Sequence, residues 1–294
     1  MYGHLPVLLN EVVSFLDPRP GQHFIDATLG AGGHTRALLE ATSPDGRVLA
    51  LDMDSSTLDR ARLELQSFGS RLMLVHANFK DIAAVAASSA EQRFLMSDGI
   101  LADIGISSMM VDDPERGFSF MRGGPLDMRM DRSQALTASD IVNTASERDL
   151  ADIIFNYGEE RRSRPIARSI VRSRPLSTTT DLASAVSRVL GGPRYGKIHP
   201  STRTFQALRI AVNGELDSLK DFLNAAPQCL KPGGRLGVIT FHSLEDRIVK
   251  NAFRALPGGK VLTKKVVTAS ESELESNPRS RSAKLRVWEK SHGD

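Results

Sequence analysis

The chain has 294 residues, 40% of them apolar and 25% charged, which is typical of a soluble globular protein with a sizeable core. Its single cysteine excludes an internal disulfide and favours a reducing cytoplasm. Because thiols are so few and the histidines are scattered, no metal site is expected. The N-terminus lacks a basic-then-apolar signal, and no apolar run reaches the roughly 18 residues of a membrane span. The sequence therefore predicts a cytoplasmic protein without a membrane partner.

A glycine-rich turn lies between a predicted strand and a predicted helix. Residues 24–35 read FIDATLGAGGHT, in which an apolar strand runs into three glycines within four positions, and the helix former RALLE follows. This order is the nucleotide-binding unit of doubly wound α/β folds, because glycine allows a tight turn close to a ligand and the helix N-terminus offers free N–H groups. A second strand, residues 47–52, ends in Asp52, at the spacing where an acid binds ribose hydroxyls.

Such a unit fits either a dinucleotide or S-adenosylmethionine. Asp26, before the turn, can pair with the cationic amino group of S-adenosylmethionine but would repel a pyrophosphate. The third glycine of the dinucleotide pattern would fall on Thr35. The segment instead matches acid-x-Gly-x-Gly-x-Gly, with Thr28 in place of the first glycine, before Gly30 and Gly32. These features favour S-adenosylmethionine, and an NAD(P)-dependent oxidoreductase on the same sheet is the alternative.

Two further predicted strands point to the same region. Residues 72–79 predict a third strand, and Phe79 at its end either stacks on an adenine or packs in the core. Residues 99–108 predict a fourth strand with Asp103 near its end. Ligands of open parallel sheets bind outside the carboxyl ends of the strands. We therefore expect Asp26, Asp52 and Asp103 to converge with the glycine turn at one rim.

The alternation of strands and helices then stops. An irregular stretch rich in Gly, Pro, Asp, Met and Arg is typical of a binding loop, and helices with capping-box patterns at Thr137 and Ser146 follow. A long helix predicted from Pro200 to Ala225 returns the chain to a fifth strand at residues 235–241.

These patterns predict an α/β fold with two domains. Residues 1–110 and 213–294 are expected to form a Rossmann-like, S-adenosylmethionine-dependent methyltransferase sheet. Residues 111–212 are expected to form an inserted, mainly helical domain for substrate recognition.

The net charge of +3 is small, but the basic residues are unevenly distributed. From Tyr157 to Arg209 there are eleven basic residues and only three acidic ones. Because most of them are arginine, the segment favours a surface that binds phosphates, with a solvated helical face as the alternative. The basic residues are Arg161, Arg162, Arg164, Arg168, Arg172, Arg174, Arg188, Arg194, Lys197, Arg203 and Arg209.

Seven motifs, spread over nearly the whole chain, resemble one family, the bacterial 16S ribosomal RNA cytosine-N4 methyltransferases of the MraW type. They are HLPVLL at 4–9, DATLGAGGH at 26–34, ERGFSF at 115–120, GPLDMRM at 124–130, YGEER at 157–161, HPSTRTFQALRI at 199–210 and FHSLEDR at 241–247.

The resemblance implies methyl transfer from S-adenosylmethionine to the exocyclic N4 amine of one cytidine in the decoding region, with 16S rRNA in the small ribosomal subunit as partner. A family contact that is commonly glutamine falls on Met110, and a thioether cannot replace both hydrogen bonds of an amide. By resemblance, the other cofactor contacts are Gly32, Gly33, His34, Asp52, Phe79 and Asp103. The match to acid-x-Gly-x-Gly-x-Gly adds Asp26 and Gly30.

Asp103 is the candidate catalytic residue, expected to bind and polarise the cytosine amine, and pure cofactor binding is its alternative role. Phe118 and Phe120 are either stacking platforms for bases or core residues. Ser107 and Ser108 either contact the base or cap the next helix. A non-catalytic RNA-binding ribosome assembly factor is the alternative of a different class, and the sequence leaves a homodimer open.

Overall fold

A computed structural model describes residues 5–88, 93–192 and 199–292. The chain forms two compact units, one comprising Met1–Gly105 with Leu216–Asp294 and the other Ile106–Glu215. These boundaries lie a few residues from the predicted ones at 110 and 213. The assignment of substrate recognition to the second unit stays a prediction.

The first unit is built on a seven-stranded sheet with the order β3-β2-β1-β4-β5-β7-β6. Strands β1 to β5 are parallel, and β7 runs antiparallel to both of its neighbours. The predicted α/β, Rossmann-like sheet is thus confirmed. The strands are β1 (His23–Asp26), β2 (Arg47–Asp52), β3 (Leu72–His76), β4 (Ser97–Asp103), β5 (Leu230–Thr240), β6 (Gly259–Val261) and β7 (Lys284–Lys290).

Helices surround this sheet and make up most of the second unit. In chain order they are α1 (Leu9–Leu16), α2 (Gly33–Ala41), α3 (Ser55–Glu64), α4 (Ile82–Ser88), α5 (Ser108–Asp112), α6 (Ala138–Thr144), α7 (Glu147–Gly158), α8 (Ser163–Arg172), α9 (Thr179–Leu190), α10 (Thr202–Asn213), α11 (Glu215–Ala225), α12 (Ser243–Ala255) and α13 (Glu271–Ser276).

The central strands are apolar on both sides because helices cover both faces of the sheet. Ile25 and Leu49 pack in a core with α4, α11 and α12, whereas their neighbours Phe24 and Val48 pack in a second core with α1, α2 and α3. The alternation of side chains along each strand therefore fills two layers.

The chain order of the strands reverses between β1 and β4, which lie side by side with Ile25 opposite Ile100. In doubly wound sheets this reversal opens a crevice at the carboxyl ends of the two strands. Asp26 and Asp103 are the last residues of these strands, and Asp52 is the last residue of β2 on the other side of β1. The sheet thus places all three predicted acids at one edge.

The second unit has its own apolar core, formed mainly by α6 to α10 and by the loop before α6. Phe118 is buried in this core, and Phe120 stacks on His199 at 4.4 Å between ring centroids and meets Phe205 edge-on. Core packing is therefore observed for Phe118, whereas Phe120 is only partly buried and its stacking on a base stays a prediction. A capping box at Thr137 begins α6, as predicted.

The single long helix predicted from Pro200 to Ala225 is wrong. Gly214 interrupts it with a left-handed conformation, φ 59°, and ends α10 one residue before α11 begins. Glycine adopts this conformation without steric cost. An amphipathic pattern cannot reveal such a break, because both helices keep their apolar side chains at helical spacing. In the described ranges, no helix is long and apolar enough to cross a membrane.

Candidate functional site

The glycine turn after β1 is bonded to both neighbouring strands. The N–H of Ala27 donates to the carbonyl of Leu101 on β4, and the N–H of Leu29 donates to that of Leu51 on β2, both at 2.8 Å. Gly32 has φ 77° and ends the turn as the N-cap of α2. The turn is therefore fixed at both sides and leads directly into the first turn of α2.

Asp26 is buried beneath this turn, with 1% of its surface exposed. Its Oδ1 accepts the N–H of Thr28 at 3.2 Å, and its Oδ2 accepts the hydroxyl of Thr35 at 2.6 Å. Burial raises the pKa of Asp26 to about 7, although these hydrogen bonds act to lower it. Thr35, which stands where the dinucleotide pattern has its third glycine, thus ties α2 to the end of β1.

Asp52 holds the turn from the other side. Its Oδ2 accepts the N–H of Gly30 at 3.0 Å and its Oδ1 accepts the N–H of Asp54 at 2.9 Å. Burial raises the pKa of Asp52 to about 6, against the lowering effect of these bonds. A carboxylate has lone pairs for more than two donors, so Asp52 can still accept a hydroxyl.

Asp103 lies at the end of β4, where its N–H donates to Oγ1 of Thr28 at 2.6 Å. Its Oδ2 is 3.8 Å from Nε2 of the buried His34. Its Oδ1 is buried and accepts no hydrogen bond from any residue that the structure describes, while 25% of the side chain remains exposed. Burial first, and then the carboxyls of Asp26 and Glu245, raise the pKa of Asp103 to about 8.

The three acids form one electrostatic group that fits a cation. Asp52 raises the pKa of Asp26, and Asp26 raises that of Asp103. Burial, hydrogen bonds and neighbouring acids make the largest contributions to the three pKa values, and the basic side chain of His76 lowers only that of Asp52. A positively charged ligand would lower all three pKa values. S-adenosylmethionine carries a sulfonium and an ammonium group, so the residues of this rim fit the predicted cofactor.

The remaining predicted cofactor contacts lie in three different environments. Gly33 and His34 form the start of α2, with His34 buried. The ring of Phe79 meets Phe222 edge-on at 5.5 Å in the core, and its stacking on an adenine stays a prediction. Met110 is on α5, where its side chain packs into the core of the second unit, and a cofactor contact by it also stays a prediction. Ser107 caps that helix.

Sequence reasoning missed two features of the rim. Thr28, noted only as a departure from the glycine pattern, accepts the N–H of Asp103 and links the turn to β4. Glu245, on the first turn of α12, is 1% exposed, and its Oε2 accepts the N–H groups of Phe241 at 2.8 Å and of His242 at 3.2 Å. The capping-box spacing of His242 and Glu245 was the available signal for this buried acid.

Comparison with known proteins agrees with this geometry. The model of the MraW methylase family matches residues 1–291. "Ribosomal RNA small subunit methyltransferase H" of Trichormus variabilis is 53% identical over 290 residues, covering 98% of this chain and 92% of that protein. The protein of the same name from Cyanothece sp. is 54% identical over 284 residues, covering 97% and 93%, and that from Gloeobacter violaceus is 53% identical over 285 residues, covering 97% and 87%. The chain therefore belongs to the MraW methylase family and is an S-adenosylmethionine-dependent methyltransferase.

Proposed function

We propose that this enzyme methylates the exocyclic N4 amine of one cytidine in the decoding region of 16S rRNA, within the small ribosomal subunit. Relatives with more than half of their residues identical are named as methyltransferases of small-subunit ribosomal RNA. The seven motifs of the resemblance, which lie in both units, support the choice of cytosine N4. The observation that carries the chemistry is the buried Oδ1 of Asp103, which has no hydrogen-bond partner among the described residues and lies at the carboxyl end of β4.

We assign cofactor binding to the rim of the first unit. Gly30 and Gly32 give the turn its left-handed backbone, with φ of 49° and 77°. Gly33 follows at the start of α2, whose free N–H groups can face the ligand, and the carboxylates of Asp26 and Asp52 provide negative charge beside it. When bound, S-adenosylmethionine supplies a methyl group already activated by its sulfonium, so the chain needs no further electrophile. The roles of His34, Phe79 and Met110 in this site remain those implied by the resemblance.

Asp103 is proposed to act on the amine. The lone pair of N4 is delocalised into the cytosine ring, so the amine is a weak nucleophile that must be held in position and must lose a proton. Oδ1 of Asp103 can accept a hydrogen bond from the amine and then its proton. Without a ligand, burial and the neighbouring acids raise the pKa of Asp103 to about 8. The positive charge of bound S-adenosylmethionine lowers this pKa and so favours the ionised carboxylate, the form that can accept the proton.

Two sets of arginines in residues 157–209 have different environments in the structure. Arg174 donates to the carbonyls of Val142 and Ala145, both at 2.6 Å, and Arg209 is paired with the buried Glu215 at 2.7 Å. These two arginines hold the second unit together. Arg194 and Lys197 lie outside the described residues.

The second set is exposed and lies along α8 and just before it. Arg161, Arg164, Arg168 and Arg172 recur at intervals of three and four residues, which places the last three on one face of α8, with Arg161 two residues before the helix begins. No acid occurs within α8, and Glu147 of α7 pairs with Arg168 at 3.2 Å. Cations near the N-terminus of a helix are disfavoured by its dipole, so helix stability does not explain Arg161 and Arg164. We call these four residues the α8 stripe and assign it to the phosphates of the RNA.

The decisive experiment is transfer of a labelled methyl group to small subunits from a strain that lacks this enzyme, followed by nucleoside analysis of the RNA. The proposal predicts label in N4-methylcytidine from a single position. Label in any other nucleoside would overturn the choice of cytosine N4. Binding of immature subunits without any transfer would support the assembly factor instead.

An oxidoreductase on this sheet is disfavoured by two observations. Asp26 remains beneath the turn where a pyrophosphate would lie, and Thr35 fills the position of the third glycine. A calorimetric titration with NAD, NADP and S-adenosylmethionine distinguishes a methyltransferase from an oxidoreductase, since only S-adenosylmethionine is expected to bind.

A further inference from the structure

The chain just before α1 packs against the beginning of α2. We call residues 5–8 the N-terminal strap. Its Pro6 contacts Gly33 so closely that a Cβ placed on Gly33 would lie 2.9 Å from Cγ of Pro6 and 3.1 Å from both Cβ and Cδ. Gly33 is the first residue of α2, directly after the glycine turn. The proline ring therefore fixes one side of the helix turn that begins the candidate cofactor site.

The strap is held in a conformation that it would not adopt alone. Leu8 is completely buried and has φ 54° and ψ 35°, a left-handed backbone that is unfavourable for a leucine. Its N–H donates to Oε1 of Glu273 at 2.8 Å. Nδ2 of Asn277 donates to the carbonyl of Leu5 at 3.2 Å. Glu273 is on α13 and Asn277 follows it directly, so one distant segment holds both ends of the strap.

We propose that Glu273 and Asn277 are positioning residues for the cofactor, which act through the strap on the first turn of α2. The contacts are continuous: Glu273 holds Leu8, Pro6 of the same strap covers Gly33, and the hydroxyl of Thr35 in that helix turn binds Asp26. This inference rests on the proposed placement of S-adenosylmethionine at the glycine turn.

The physical reason is the strained backbone of Leu8. Without the acceptor on Glu273, a buried N–H is left unpaired beside a left-handed leucine, and both effects favour rearrangement of the strap. Such a rearrangement moves Pro6 away from Gly33 and loosens the helix turn that the ligand needs. Since the ligand then has to restore this order on binding, its affinity falls.

The test is calorimetric titration of the whole chain with S-adenosylmethionine. Glu273→Ala is expected to raise Kd roughly five- to tenfold. Glu273→Gln keeps a side-chain oxygen that can accept the N–H of Leu8, and we expect its Kd to stay within about twofold of the original. Glu275→Ala, which changes an exposed residue of the same helix, is the matched control and should leave Kd unchanged.

Hydrogen exchange provides a readout that does not depend on the cofactor. In the ligand-free protein, amides of residues 33–36 should exchange faster in Glu273→Ala than in Glu275→Ala. If Glu273→Ala is too unstable to purify, Pro6→Ala replaces it, since it removes the ring from Gly33 and leaves Glu273 intact, and it should also weaken binding. Unchanged affinity and unchanged exchange in the variant used would overturn the role of the strap.

A further variant separates this inference from the proposed site. Asp52→Ala should lose most of the affinity for S-adenosylmethionine, because Asp52 holds Gly30 and is assigned to the ribose hydroxyls of the ligand. Unchanged binding by Asp52→Ala would overturn the placement of the cofactor itself. Weakened binding by Asp52→Ala, with unchanged binding by Glu273→Ala, would overturn only the positioning role of Glu273 and the strap.

Discussion

The charged groups described in the two units differ in their exposure to water. At the rim of the first unit, Asp26, Asp52 and Asp103 are largely buried, and burial is the main cause of the raised pKa of each. On α8 of the second unit the arginines are exposed to water. Water and salt screen exposed charges from each other, whereas buried charges interact strongly.

This difference predicts two kinds of response to mutation. A change at one acid of the rim alters the protonation of the other acids, so effects there should be large and non-additive. Changes in the α8 stripe should add together, depend on salt and leave the first unit unaffected.

Asp103→Asn should have the largest effect. The amide keeps the shape of the side chain but cannot take a proton from the amine, and we expect kcat to fall by roughly 10²- to 10⁴-fold. Turnover with small subunits as substrate and cofactor titration together measure the effect. A loss confined to cofactor affinity, with kcat intact, would assign Asp103 to cofactor binding alone.

Neutralising the arginines at the start of α8 should weaken RNA binding. The triple change of Arg161, Arg162 and Arg164 to Ser is expected to lower RNA affinity about tenfold or more at low salt, and to reduce the slope of log K against log salt by up to about 2. Kd for S-adenosylmethionine should not change. The matched control changes Arg19, Arg60 and Arg62, exposed arginines of the first unit. An equal loss of RNA affinity in the two triple variants would mean that RNA binding is not specific to α8.

Two arginines at the end of α8 allow a sharper comparison. Arg174→Ala removes the hydrogen bonds that Arg174 donates to the carbonyls of Val142 and Ala145. It should therefore lower the free energy of unfolding by about 2 kcal/mol. Arg172→Ala should change stability by less than about 0.5 kcal/mol and weaken RNA binding instead. Chemical denaturation and RNA titration of both variants measure this, and the reverse result would contradict the division of the arginines.

The smallest expected effect is a dependence of cofactor affinity on pH. Below pH 6 the three acids of the rim are mainly protonated, and with pKa values of about 7, 6 and 8 they ionise as the pH rises to 8. A cationic ligand prefers the ionised forms, so Kd should fall severalfold over this range.

Stability should show the opposite sign without ligand. A carboxyl whose pKa is higher in the folded than in the unfolded state contributes stability at low pH, and that contribution is lost as the pH rises through the folded value. Because S-adenosylmethionine is expected to bind more tightly at pH 8 than at pH 6, the increase in Tm that it causes should be larger at pH 8, as measured by calorimetry. A constant increase would argue against ionisation of the rim on binding.

The sheet and its acidic rim could be predicted from the sequence, because apolar runs, the three glycines and the acids at strand ends follow local rules. The hydroxyls of Thr28 and Thr35 could not be assigned, since their partners depend on how strands pair in space. The hydrogen bond between Leu8 and Glu273 joins positions 265 residues apart, and no pattern within one sequence encodes such a contact. A helical face was one of the two predictions for this arginine-rich segment, but the bounds of α8 were not predicted, since exposed arginines lie among the few residues of its buried face, Ile166, Ala167 and Ile170.

The number of protons released on cofactor binding tests most directly whether the three acids of the rim bind the cofactor. Calorimetric titration with S-adenosylmethionine at pH 7, in buffers with different ionisation enthalpies, measures the number of protons released. We predict a net release by the original protein and a smaller release by Asp103→Asn, because the ligand drives the buried acids to ionise. Binding without proton release, or with the same release in both proteins, would contradict the assignment of these acids to the cofactor.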